Sequence, residues 1–120
     1  MDNNFQNSKH IVPEFEYDQY GDYREFFYKV VKEIRTFENS LSENEEIHAT
    51  INGVEFCLEK ISLVRTKSVA EPVFLALYGR LPTGATSLHV QALNFLNLSL
   101  TASRKEDAKS VRRSLIIDEE

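Results

Sequence analysis

Thiol and imidazole groups, the side chains most often used as nucleophile, base and soft metal ligand near neutral pH, are few in this 120-residue chain: one cysteine, Cys57, and three histidines, His10, His48 and His89. A cysteine attacks only as its thiolate, with a base close by. Cys57 stands between Phe56 and Leu58 in a run that reads as a strand, so a structural role is expected for it. His48 and His89 also fall on predicted strands, and neither has a carboxylate at a recognised metal-ligand spacing. The segment Gly79-Arg80-Leu81-Pro82-Thr83-Gly84 lacks the Gly-Lys-Ser/Thr ending of a phosphate loop. The acidic link from Ser42 to Glu46 lacks the central glycine and ligand offsets of a calcium loop. The expectation is therefore no catalytic residue, no metal and no cofactor.

What remains is a set of basic and polar groups able to hold a small anion. Charge is uneven along the chain. Residues 1–60 carry 13 acids against 6 bases, whereas residues 61–105 carry one acid, Glu71, against Arg65, Lys67, Arg80, Arg104 and Lys105. The whole chain has a net charge of −5, and an acidic protein without a clustered cationic surface is a poor nucleic-acid binder. Within the basic stretch, Arg80 follows Tyr78-Gly79, where glycine permits close backbone approach and the tyrosine offers an apolar face with a hydroxyl. A guanidinium gives bidentate contacts to phosphate or carboxylate. Arg65, Lys67, Tyr78, Arg80 and His89 are thus the candidate ligand-binding residues, with two subunits needed to bring both ends of the strand together.

The elements that must position these groups are legible from periodicity. Phe26, Phe27, Val30, Val31, Ile34, Phe37 and Leu41 recur at helical spacing, with Arg24, Lys29, Lys32, Glu33, Arg35 and Glu38 on the other face. Asp22 and Glu25 form a capping-box-like start. Ile47, Ala49 and Ile51 then alternate with Glu46, His48 and Thr50. Asn52-Gly53, a strong hairpin signal, leads into Val54, Phe56 and Leu58. Ile61 and Leu63 sit on the opposite parity, which predicts a bulge near Glu59-Lys60. Pro72 opens an apolar strand through Tyr78, and Leu88, Val90 and Ala92 alternate after the turn. Residues 92–102 read as a further strand, the alternative being a helix that groups Leu93, Leu96, Asn97 and Leu100.

These elements predict one α+β domain: a long amphipathic helix on an antiparallel sheet of four or five strands over residues 22–103. Residues 1–21 read as an N-terminal arm and residues 104–120 as a charged C-terminal tail. One helix cannot cover both faces of a wide sheet, and either Phe74, Ala76 and Tyr78 or their opposites on the same strand put apolar groups on the second face. Self-association is the expected cover. The chain has no run of 18 consecutive apolar residues, and its first residues lack a basic and apolar leader pattern, so no membrane segment and a cytoplasmic setting are expected.

The helix opening Glu25-Phe26-Phe27-Tyr28-Lys29, the acidic link Glu43 to Glu46, the strand Phe74 to Gly79 and Leu88-His89-Val90 together resemble a family of short bacterial and phage proteins, a domain of unknown function. The resemblance spans Tyr23 to Arg104. The family carries Gln-His-Val-Ser-Gln where this chain has Leu88-His89-Val90-Gln91-Ala92. It implies a fold of this class and a bacterial or phage origin, without an activity. Two function classes follow from the sequence. The first is a non-enzymatic, oligomeric binding protein that sequesters a small anionic, nucleotide-like ligand or blocks a protein partner. The alternative is a small phosphohydrolase with His48 or His89 as base beside Arg80, or a structural subunit.

Overall fold

A computed structural model of the chain describes residues 8–11, 23–64, 73–93, 96–104 and 114–119. In chain order the elements are β1 (Ser8–Ile11), α1 (Tyr23–Asn39), β2 (Glu45–Ile51), β3 (Val54–Val64), β4 (Phe74–Arg80), β5 (Thr86–Ala92), β6 (Leu98–Arg104) and β7 (Ile116–Glu119). The α+β class is as expected. The sheet is larger than expected, with seven strands in the order β1-β6-β2-β3-β4-β5 and β7 beside β3. The helix spans 17 residues.

The two extra strands come from the segments read as arm and tail. Ser8–Ile11 pairs antiparallel with β6 and buries Ile11 against the core. Ile116–Glu119 pairs with β3 in parallel, at Lys60 to Leu63. The length of β3 explains this second pairing. Its first residues, Val54 to Cys57, pair with β2, and the same edge beyond them would otherwise expose unpaired backbone groups. β7 fills it.

The β2–β3 hairpin turns at Asn52 (φ 51°) and Gly53 (φ 82°), both in the left-handed region that a two-residue hairpin of this hand requires. The predicted irregularity is present: the β3–β4 register shifts between Leu58 and Lys60. The extra residue flips the parity of β3, so Phe56 and Leu58 before it and Ile61 and Leu63 after it all reach the core. Opposite the bulge lies Gly79, where a Cβ would sit 2.0 Å from the Cys57 carbonyl oxygen and 2.7 Å from a Phe56 ring carbon. Bulge and glycine together bend the sheet at this corner. The curl is strong enough that β5 and β6, four places apart in the strand order, are joined by residues 93–97 alone. There the Asn97 N–H donates to Gln91 Oε1 (2.8 Å), and the Asn97 side chain meets His10 of β1.

The concave inner face carries the core. Phe26, Phe27, Val30, Ile34, Phe37 and Leu41 of the helix side pack with Ile47, Ala49, Phe56, Ile61, Leu63, Leu75, Leu77, Leu98 and Leu100 of the sheet. Glu38, expected on the solvent face, is instead buried. Its carboxylate accepts the Leu115 N–H (2.7 Å) and pairs with Arg35 (2.6 Å), which anchors the approach to β7. Of the described residues in 92–102, Ala92 ends β5 and Leu98 to Ala102 belong to β6, with Leu93 and Leu96 buried between the two strands. The predicted cap Asp22 and the arm Pro13 to Gly21 lie outside the described residues.

Candidate functional site

The outer, convex face of the sheet divides into a polar end and an apolar end. At the polar end, inward-facing Ile47 and Ala49 send Glu46 and His48 outward, because side chains on a strand alternate. The hairpin register sets His48 opposite Cys57, and Cys57 in turn pairs with Arg80. One row across three strands thus presents an imidazole, a thiol and a guanidinium, flanked by Glu46, Glu55 and Glu59. His48 Nδ1 lies 2.8 Å from Glu55 Oε2, and His48 Nε2 lies 3.3 Å from Glu46 Oε1. Arg80 Nε lies 3.2 Å from Glu59 Oε2. These groups, with Leu81, Pro82 and Gly84, line an open groove of about 340 Å³.

At the apolar end, pairing aligns Leu88 of β5, Tyr78 of β4, Lys60 of β3 and Ile116 of β7 in a second row. Val90 and Phe74 extend it. Leu88 (55%), Val90 (53%) and Ile116 (58%) are more than half exposed. Lys60 Nζ sits 5.1 Å from the Tyr78 ring centroid and 3.6 Å from Asp118 Oδ2, so a cation, an aromatic face and a carboxylate stand within this apolar stripe.

The residues singled out from the sequence are not gathered in one place. Tyr78 and Arg80 share the outer face, two residues apart on β4. His89 projects from the inner face, opposite Leu77, where its ring stacks on Phe56 with centroids 4.3 Å apart. The missing Cβ at Gly79 lets the Phe56 ring lie across β4 to reach it. Ser87 Oγ is 2.7 Å from His89 Nε2. This hydroxyl–imidazole pair resembles half of a nucleophilic triad, but among the described residues no carboxylate orients the ring from its other side. Arg65 and Lys67 lie outside the described residues.

The cluster of Glu46, His48, Glu55 and Cys57 is the feature that reasoning from residue types passed over. The signal was present in the Asn52-Gly53 turn. Once Ile51 and Val54 flank a two-residue turn, counting three residues outward on each strand puts Cys57 across from His48, and alternation puts Glu46 on the same face.

The chain matches no protein-family model, no curated protein and no solved structure. Among the described residues, no helix is long and apolar enough to cross a membrane.

Proposed function

We propose that the protein is a non-enzymatic binding protein that works through the outer face of its sheet, and that the apolar end of that face pairs with a second copy of the chain. The exposed row of Leu88, Val90 and Ile116 carries this reading. Among the described residues the one helix packs on the inner face. On the outer face the small Ala76 and Ser62 are buried, whereas the larger Leu88, Val90 and Ile116 beside them stay exposed, and large apolar side chains concentrated on a surface favour association. A second copy is the occupant that fits, because the stripe holds both Lys60 and Asp118. A two-fold interface apposes the same patch to itself, and a patch with one charge of each sign can pair with its image without net repulsion.

Sedimentation equilibrium at micromolar concentration tests this. The native chain should run above 13.9 kDa, and the double substitution Leu88→Glu, Val90→Glu should yield a folded monomer whose melting temperature no longer depends on protein concentration. A monomeric native chain would overturn the reading.

The surroundings of Arg80 favour cations over the anionic ligand that residue types suggested: its guanidinium pairs with Glu59, and Glu46 and Glu55 line the same groove. A hydrolytic reading draws on His48, which has Cys57 across from it and Glu55 behind it. Against this, Cys57 lies between two paired strands, where backbone N–H groups are committed to the ladder and do not make an oxyanion hole. A nucleotide panel recovered intact after incubation supports binding; turnover supports an enzyme. A single cysteine suits a cytoplasmic setting, and the resemblance to short bacterial and phage proteins supplies the proposed origin.

A further inference from the structure

We propose that Glu46, His48 and Cys57 form a site for a divalent transition-metal ion of the zinc class, with Glu55 positioning the histidine. The three ligand atoms, a carboxylate oxygen, an imidazole nitrogen and the thiol sulfur, all lie within 4.8 Å of one another. Zinc–oxygen and zinc–nitrogen bonds of about 2.0 Å and a zinc–sulfur bond of about 2.3 Å put tetrahedral ligand atoms roughly 3.3–3.6 Å apart. The Glu46–His48 separation of 3.3 Å already meets that spacing. The sulfur lies within 4.8 Å of both other ligand atoms, a separation that side-chain rotation can close to the bonded spacing.

The scaffold supplies the order that such a site requires. All three ligands stand on one hairpin whose register is fixed by its turn. His48 and Cys57 are directly opposite, and Glu46 is the next outward residue on the same strand as His48. Tertiary contacts formed late in folding are not needed to bring them together.

Glu55 is the observation that lifts this cluster above a chance grouping. A metal-bound histidine nearly always hydrogen-bonds through its second ring nitrogen to a carboxylate or carbonyl, which fixes tautomer and ring orientation. Glu55 Oε2 holds His48 Nδ1 at 2.8 Å, leaving Nε2 toward Glu46. The donor set selects the ion. A thiolate and an imidazole favour zinc-class ions over calcium or magnesium, which take oxygen ligands. Three protein ligands leave a fourth position facing the groove, for water or an added ligand. Thiolate and carboxylate balance the ion's two charges, and Arg80, the cation lining the groove, is paired with Glu59. The site is independent of the self-association proposed above.

Cobalt(II) in place of zinc reads the geometry directly, using the full-length, untagged protein. A thiolate-to-cobalt charge-transfer band can arise only from Cys57, because the chain has a single cysteine. We expect that band together with intense tetrahedral d–d bands, and displacement by one equivalent of zinc per chain. Cys57→Ser should abolish the band, and both it and His48→Ala should weaken zinc binding at least about tenfold, with circular dichroism confirming the fold. Glu55→Gln should keep the band and weaken zinc binding about 10- to 100-fold, the effect of losing an orienting partner. A native protein that gives no thiolate band, or zinc affinity unchanged in folded Cys57→Ser and His48→Ala, overturns the site.

Discussion

On β3, Phe56, Leu58, Ile61 and Leu63 turn toward the helix and are buried, while Glu55, Cys57 and Glu59 turn outward and remain in reach of water. The two sets alternate on one strand yet answer to different demands. The inner set is chosen for volume and apolarity, and its members join one contiguous core with α1. The outer set is chosen for chemistry: carboxylates, a thiol, an imidazole from β2 and a guanidinium from β4. Toward the far end of the sheet the outer set changes again, to Tyr78, Leu88, Val90 and Ile116. A sheet of this kind separates stability from function by face, so that substitutions on the two sides should be distinguishable by what they alter.

Truncating the inner set should do the most damage to folding. Ile34 is fully buried in the core, and Ile34→Ala should lower stability by about 2–5 kcal/mol through lost burial and the cavity left behind. Lys32→Ala, on the exposed helix face, should stay within about 0.5 kcal/mol. Urea midpoints compare the two directly, and equal midpoints would mean that the helix does not present this face to the sheet.

The corner of the sheet is the next most sensitive place. Gly79→Ala pushes a methyl into the Cys57 carbonyl and the Phe56 ring, and overpacking of this type costs about 1–3 kcal/mol or more. Loss of the Phe56–His89 stack should accompany it, visible as a shift of the His89 ring resonances. Thermal melts of Gly79→Ala that overlay those of the native chain would show that the corner has room to spare.

Glu38 tests how the C-terminal strand is held. Glu38→Ala leaves the buried Leu115 N–H without its acceptor, which should cost about 1–3 kcal/mol. Hydrogen exchange should quicken first at Leu115 and along β7, ahead of the β2–β3 hairpin. Uniform exchange across the whole sheet would mean that β7 is not a separately anchored element.

The outer face should respond least in stability. Val90→Ala should shift the melting transition by an amount within about 0.5 kcal/mol, in contrast with Ile34→Ala. A loss comparable with that of Ile34→Ala would erase the distinction between the two faces.

Much of the inner face was legible in the residues themselves. The 3.6-residue spacing from Phe26 to Leu41 gives α1, the Asn52-Gly53 pair gives the hairpin, and the parity break between Leu58 and Ile61 gives the bulge. β1 and β7 were not legible, because four-residue strands are too short to show a period and gain their place from edges that exist only after folding. Leu115-Ile116-Ile117 stands out as apolar within a charged stretch, but only the unpaired flank of β3 turns it into a strand. Glu38 illustrates the same limit: its charge assigns it to the solvent face of the helix, and a backbone donor 77 residues away holds it buried. The polar cluster needed register rather than residue type, since Glu46, His48 and Cys57 are adjacent only across a hairpin. Arg80 and Tyr78 were found as candidates from type and turn position, whereas the inward turn of His89 depends on the pairing of β5 with β4.

The central claim is that the apolar end of the outer face binds a second copy while the inner face carries the fold. Methyl NMR in the presence of a nitroxide cosolute measures it most directly, by reporting how closely solvent approaches each side chain. At high protein concentration the Leu88, Val90 and Ile116 methyls should be shielded from the nitroxide, and dilution should expose them while Leu63, Leu75 and Leu77 stay protected throughout. Leu88, Val90 and Ile116 methyls that remain fully accessible at every concentration would contradict the account.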